Sequence, residues 1–184
     1  PGWASQGRVA AQARRRNDGG PTPTDESFAR KSSLLPPIVC GGFRTVSVPT
    51  AQGAALEVYL EKAWEKTPRD LSHLIGTRYE FGRFTAYPKA FDSVGASILS
   101  SPPKGAALII MDELGVMENG AAVFCKAVME ALDGKLPILG VIKPKHTEFL
   151  DAVRFHERSE IFMVSDSNRE ELPDILAEKL RRLL

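Results

Sequence analysis

Two adjacent carboxylates, Asp112 and Glu113, end the apolar run Ala107-Leu108-Ile109-Ile110-Met111 and are followed by Leu114-Gly115-Val116-Met117-Glu118. A short, wholly apolar run reads as a buried strand, which puts the pair at the strand's mouth. There one carboxylate can hold a magnesium ion through its waters, because this hard ion takes oxygen ligands and keeps part of its hydration shell. Its neighbour can accept a proton from water without competing for the metal. The same pair would also serve as the solvated turn that ends any buried strand, and the longer pattern decides between these readings.

Other groups offer less. His73, His146 and His156 have no metal-ligand spacing with one another or with Cys40 and Cys125. His146, close to Lys143 and Lys145 after an apolar run, is a phosphate contact or an ordinary solvated loop residue. Arg78 and Arg83 flank a strand-like segment, where one could reach over a site as a charge-stabilising finger or pair at the surface with Glu80 or Asp92. The spacings contain no Ser-His-Asp or Cys-His set.

The elements that must position these groups begin after a stretch with little folding information. Residues 1–36 are rich in Gly, Pro, Ser, Thr and Arg, centred on Gly19-Gly20-Pro21-Thr22-Pro23-Thr24, with one short helix expected from Asp25 to Leu35. The basic run Arg8 to Arg16 has the charge of an organelle transit peptide, but Asp18, Asp25 and Glu26 follow it, and a solvated, irregular arm is expected. The domain is expected over residues 37–184.

Ile38 to Val48 reads as one or two strands broken at Gly41-Gly42, and Pro49 to Gly53 as a turn. Leu56, Leu60, Ala63 and Trp64 fall on one face at helical spacing. Tyr79 to Thr85 is expected as a strand or hairpin arm, and Pro88 as a first-turn residue before the apolar face Phe91, Val94 and Ile98. Ala107–Met111, Leu136–Ile142 and Ile161–Val164 are three buried strands, separated by helices over Phe124–Leu132 and Phe149–Phe155 and closed by a helix carrying Leu172, Ile175, Leu176, Leu180 and Leu183. Repeated strand-helix-strand units predict an α/β fold, a mainly parallel sheet with helices on both faces, whose ligands bind at the carboxyl ends of the strands.

Composition narrows the classes. A chain of 184 residues with 43% hydrophobic residues suits one domain with a sizeable core. A formal net charge of +1 argues against a nucleic-acid-binding surface, which needs a clear basic excess. No apolar run approaches the ~18 residues of a membrane span. Two isolated cysteines fit reduced, buried thiols and a cytoplasmic setting.

The ordered set Asp112-Glu113-Leu114-Gly115-Val116-Met117-Glu118, a Phe-bearing helix, Leu136-Pro137-Ile138-Leu139-Gly140-Val141-Ile142 and Val164-Ser165-Asp166-Ser167-Asn168-Arg169 resembles the small P-loop nucleoside-triphosphatase family that includes the cancer-related nucleoside triphosphatases. Gly41-Gly42-Phe43-Arg44-Thr45 looks like that family's Gly-Phe-x-Thr strand, so the resemblance covers roughly residues 38–180. It implies a three-layer P-loop fold and a Walker B strand at Leu108 to Asp112. It further implies Mg2+ held by Asp112, water polarised by Glu113, and a nucleoside triphosphate, ATP or GTP, cleaved to diphosphate and phosphate. By the same resemblance Asn168 would hydrogen-bond the base and Arg169 would pack near it; as local structure, Ser165 to Asn168 are equally candidates for helix caps. Val116 departs from the family, which often has a basic residue there.

A larger departure concerns the phosphates. The sequence has no Gly-x-x-x-x-Gly-Lys-[Ser/Thr] loop, the motif whose amides and lysine grip them. The best-placed remnant, Gly20-Pro21-Thr22-Pro23-Thr24-Asp25-Glu26-Ser27-Phe28, matches the first Gly with Gly20 and the magnesium-binding Ser with Ser27. Asp25 and Glu26 stand where the second Gly and the Lys belong. A second register, Gly2 to Val9, keeps two glycines and offers Arg8 for Lys, but has Val9 in place of the hydroxyl. Weak or absent hydrolysis is therefore expected; the alternative is a non-catalytic nucleotide-sensing module, or one that binds a protein partner, on the same scaffold.

Overall fold

The computed structural model describes residues 8–13, 38–53 and 55–184. Its strands are β1 (Arg8–Ala13), β2 (Cys40–Pro49), β3 (Ala55–Lys62), β4 (Leu74–Tyr79), β5 (Phe84–Ala86), β6 (Leu108–Leu114), β7 (Ile138–Ile142) and β8 (Ser159–Val164). They form one eight-stranded sheet in the order β5-β4-β3-β2-β6-β7-β1-β8. From β2 through β6, β7 and β1 to β8 all neighbours are parallel. From β2 out to β5 they alternate as antiparallel hairpins.

The parallel half was expected, and the antiparallel half corrects one reading. Leu56 to Trp64 is not a helix, because β3 runs from Ala55 to Lys62. Leu56 and Leu60 are four apart, a spacing that satisfies both the helical period and every second strand position. Val58 between them, buried with Leu60, settles the strand. The hairpin closes at Thr50 to Gly53, where the Thr50 amide donates to Ala55 O at 2.9 Å and Gly53 takes a φ of 71°. Tyr79 to Thr85 is likewise not one arm, since β4 and β5 are joined by a tight turn with Phe81 at a φ of 57°.

β1 is the second correction. Arg8 to Ala13, expected as a solvated arm, lies inside the sheet, with Ala10 in register with Gly140 of β7 and Ile161 of β8.

Helix α1 starts at Pro88–Ala90, passes through a π-helical turn at Phe91–Gly95 and ends with Ala96–Ser100. Helix α2 is Ala122–Asp133, α3 is Glu148–Arg154 and α4 is Leu172–Arg181. The first three cover one face of the sheet. Phe124 of α2 meets Phe43 of β2 edge-on at 5.5 Å between ring centroids and Phe91 of α1 at 5.1 Å, and all three rings are fully buried. Lys179 of α4 sits over the Phe162 ring and bonds Glu160 at 2.6 Å. Those two side chains alternate with Ile161, which packs on the core side, so α4 covers the opposite face.

Two helix N-termini are closed by side chains, one of them distant in sequence. Asp92 of α1 accepts the Phe124 amide at 3.0 Å and so caps α2, which has no cap of its own. Thr147 caps α3 through the Leu150 amide at 3.1 Å. Among the described residues no helix is long and apolar enough to cross a membrane.

Candidate functional site

All five parallel strands point their carboxyl ends to one edge, and Asp112 and Glu113 lie at that edge of β6. The strand continues through Leu114, beyond the expected end at Met111, with its register on β7 shifting between Asp112 and Leu114. Asp112 is exposed and stands level with Arg44 of β2 and Val141 of β7. Among the described residues no three His, Cys, Asp or Glu side chains approach closely enough to hold a metal by themselves.

Glu113 is more enclosed, with its side chain 15% exposed, and one oxygen serves two cations. Lys143 Nζ lies 2.7 Å from Glu113 Oε1, and Arg78 Nη2 lies 3.4 Å from the same atom. Lys143 is the first residue beyond β7, its amide donating to Leu114 O at 2.8 Å. Its own carbonyl and that of Lys145 accept from Arg154 Nη2 at 3.2 and 3.0 Å, fixing the loop from α3. Arg78 arrives from β4, so the reading that paired it with Glu80 or Asp92 does not hold, whereas Arg83 stays exposed.

Behind this cluster lies Glu118, 2% exposed, whose Oε2 accepts the Gly115 amide at 3.0 Å. Burial pushes its carboxyl up to about 7, with Lys143 pulling the other way and Glu113 adding to the rise. Glu118, Gly115, Glu113, Lys143, Arg78 and Thr45 line a space of about 10 Å³, roughly that of one water, floored by Phe91, Ile75 and Met117. On the other side of Arg44, buried Glu61 takes Arg44 at 3.1 Å and Arg69 at 2.9 Å, so each carboxylate oxygen has its own guanidinium.

Asn168 and Arg169 are not brought to the acidic pair; they follow β8, across β7 and β1 from β6. Asn168 closes its own turn, its Oδ1 accepting the Ser165 amide at 2.8 Å and its Nδ2 donating to Met163 O at 2.8 Å. Arg169, half exposed, lies 3.6 Å from Asp166. His146 pairs with Asp151 at 3.0 Å and is not part of the Glu113 cluster. Gly20 and Ser27 lie outside the described residues, as do Asp25, Glu26 and Gly2 to Gly7. Both cysteines are free thiols, and burial pushes Cys125 up to about 11.

Lys143 and Glu118 were not singled out from the sequence. Glu118 stands in the quoted motif, but only the fold shows that it is buried. Lys143 acquires its place because β7 neighbours β6, which the apolar runs alone do not reveal.

An open sheet whose parallel strands run in this order, with carboxylates at the carboxyl edge of an inner strand, defines a P-loop-type α/β fold, and the comparisons agree. Residues 37–177 match the family described as NTPase. The chain belongs to this nucleoside-triphosphatase family. It is 28% identical over 156 residues to the nucleoside-triphosphatase THEP1 of Methanosarcina acetivorans, covering 85% of this chain and 87% of that one. The fold is also that of the crystal structure of THEP1 from Aquifex aeolicus, with a TM-score of 0.63 at 16% identity over 92% of this chain and 97% of the other. A human cancer-related nucleoside triphosphatase superposes with a TM-score of 0.55 at 22% identity, over 92% and 96% of the two chains.

Proposed function

We propose that the carboxyl edge of β6, β7 and β1 is a site for a magnesium nucleoside triphosphate, ATP or GTP, at which Glu113 takes the proton of the attacking water and hydrolysis is slow. The observation that carries this is the position of Asp112 and Glu113 at the end of an inner parallel strand of a nucleoside-triphosphatase family member. Asp112 suits magnesium held mainly by phosphate oxygens and water: it is one exposed carboxylate with no further acidic or histidine cluster around it among the described residues. Such an ion supplies charge neutralisation to the phosphates. Ser27 would be its second protein contact.

From β6 to β8 the sheet spans three strand spacings, about 14 Å, which suits an extended triphosphate with its base over the turn after β8. Asn168 already uses both ends of its amide in that turn, which leaves Arg169 as the group to pack on the base.

Slow turnover follows from the phosphate side. Charge-assisted hydrogen bonds contribute about 1.5–3 kcal/mol each, so losing two weakens binding by roughly a hundredfold or more. In the register that matches Gly20 and Ser27 to the phosphate loop, Asp25 and Glu26 would add repulsion. Titration calorimetry with Mg-ATP and Mg-GTP, run beside a phosphate-release assay, tests the reading. Glu113→Gln is expected to abolish release without weakening binding, and unchanged turnover in that variant would remove Glu113 from the role of base.

A further inference from the structure

Glu113 is one carboxylate facing two cations. Lys143 Nζ at 2.7 Å and Arg78 Nη2 at 3.4 Å share the single atom Oε1, and both side chains stay about a quarter exposed, 24% and 25%. Glu118, the one other acid lining this space among the described residues, is turned to the Gly115 amide, and burial pushes its carboxyl up to about 7, which weakens its charge near neutral pH. The cluster is thus an anion receptor with an internal anion in it.

Its placement is as telling as its charge. Lys143 leaves β7, the strand between β6 and β1, so its ammonium lies on the edge where ligands of open parallel sheets bind. Its peptide is tied down on both sides, by Leu114 O and by Arg154, while the chain beyond Cβ is held at its tip by Glu113. Gly115 keeps that chain's path open: a Cβ there would stand 3.0 Å from Lys143 Cδ.

The geometry points to Lys143 and Arg78 as an oxyanion-binding pair for a phosphoryl group, for which the Glu113 carboxylate is the competing internal ligand. The inference deepens the reading of the site given above, naming cations that lie outside the missing phosphate loop.

The test is calorimetric titration of the full chain with inorganic tripolyphosphate. Glu113→Gln removes the competitor and is expected to raise affinity about tenfold, or about 1.4 kcal/mol. Adding Lys143→Met to that variant should bring affinity below that of the unsubstituted chain, and Lys143→Arg in the same background should keep it. Lys145→Met, two residues along and exposed, is the control and should leave binding unchanged. Equal affinity in the unsubstituted chain and Glu113→Gln overturns the pair, as does a loss in Lys145→Met equal to that in Lys143→Met. The phosphate-release assay separates this from the catalytic reading. No hydrolysis with the expected tripolyphosphate pattern removes catalysis and keeps the pair; hydrolysis with an unchanged pattern does the reverse.

Discussion

Burial sets the protonation of Glu118 and with it part of the chain's response to pH. With the carboxyl at about 7 in the folded chain against an ordinary value of 4.5, the folded state binds the proton more tightly than the unfolded one. Its contribution is fully present below pH 4.5 and is lost as pH rises to 7. At about 1.4 kcal/mol per unit, the loss between pH 5 and 8 is about 2–3 kcal/mol. Glu118→Gln keeps an oxygen for the Gly115 amide and cannot ionise. Urea unfolding should therefore show the unsubstituted chain losing about 2–3 kcal/mol relative to Glu118→Gln over that interval; parallel pH profiles would remove the buried proton. Asp70, held down to about 2 by the Ser72 hydroxyl and His73, titrates well below this window. At this scale the sequence disclosed the residues that sit side by side, Asp112 and Glu113. It offered Arg78 as one of two arginines that could reach over a site but hid that Glu113 is its partner, because the two meet across 35 positions and no local pattern encodes such a contact.

Strand pairing explains why one glycine at the site's edge cannot be replaced. Gly42 of β2 has a φ of 88°, and a Cβ built there would lie 1.9 Å from Ile110 O, its neighbour in register on β6. Both the left-handed backbone and the contact exclude a side chain. Gly42→Ala is expected to lose more than about 3 kcal/mol in urea unfolding, since relief requires β2 to move off the strand that carries Asp112. A loss below about 1 kcal/mol, the ordinary scale of a point substitution, would mean that β2 and β6 are less tightly joined. Gly41-Gly42 was visible in the sequence as a break between two strands, yet β2 runs unbroken through it. A glycine pair is the mark of a turn when read along the chain and of a close approach when read across the sheet. The helical reading of Leu56 to Trp64 failed for a related reason. Periodicity records which side chains share a face, and at four residues the helix and the strand give the same answer.

For the molecule as a whole, the question is how far its fold depends on a strand outside the family match, which begins at residue 37. β1 carries Arg8-Val9-Ala10-Ala11-Gln12-Ala13, in which only Val9 favours a strand, so its place comes from neighbours rather than propensity. That is why the later strands were legible and this one was not: Leu108–Leu114 and Ile138–Ile142 are apolar enough to declare burial locally, and the run Ile161–Val164 declares a strand, although β8 lies at the sheet edge with none of its residues buried. Yet β1 is the one strand that β8 pairs with among the described residues, and it joins β8 to β7. A chain of residues 37–184 would leave β7 with an open edge, and β8 with α4 held through helix contacts alone. Hydrogen exchange should show amides of β8 and α4 protected in the full chain and opening much faster in the shortened one, while β2, β3 and β6 keep their protection around Phe43, Phe91 and Phe124. Equal protection of β8 in both chains would make residues 37–184 a self-sufficient domain and β1 an addition to it. Because the proposed triphosphate site lies between β6 and β8, the shortened chain should also lose nucleotide binding even though Asp112, Glu113, Lys143 and Arg78 all remain.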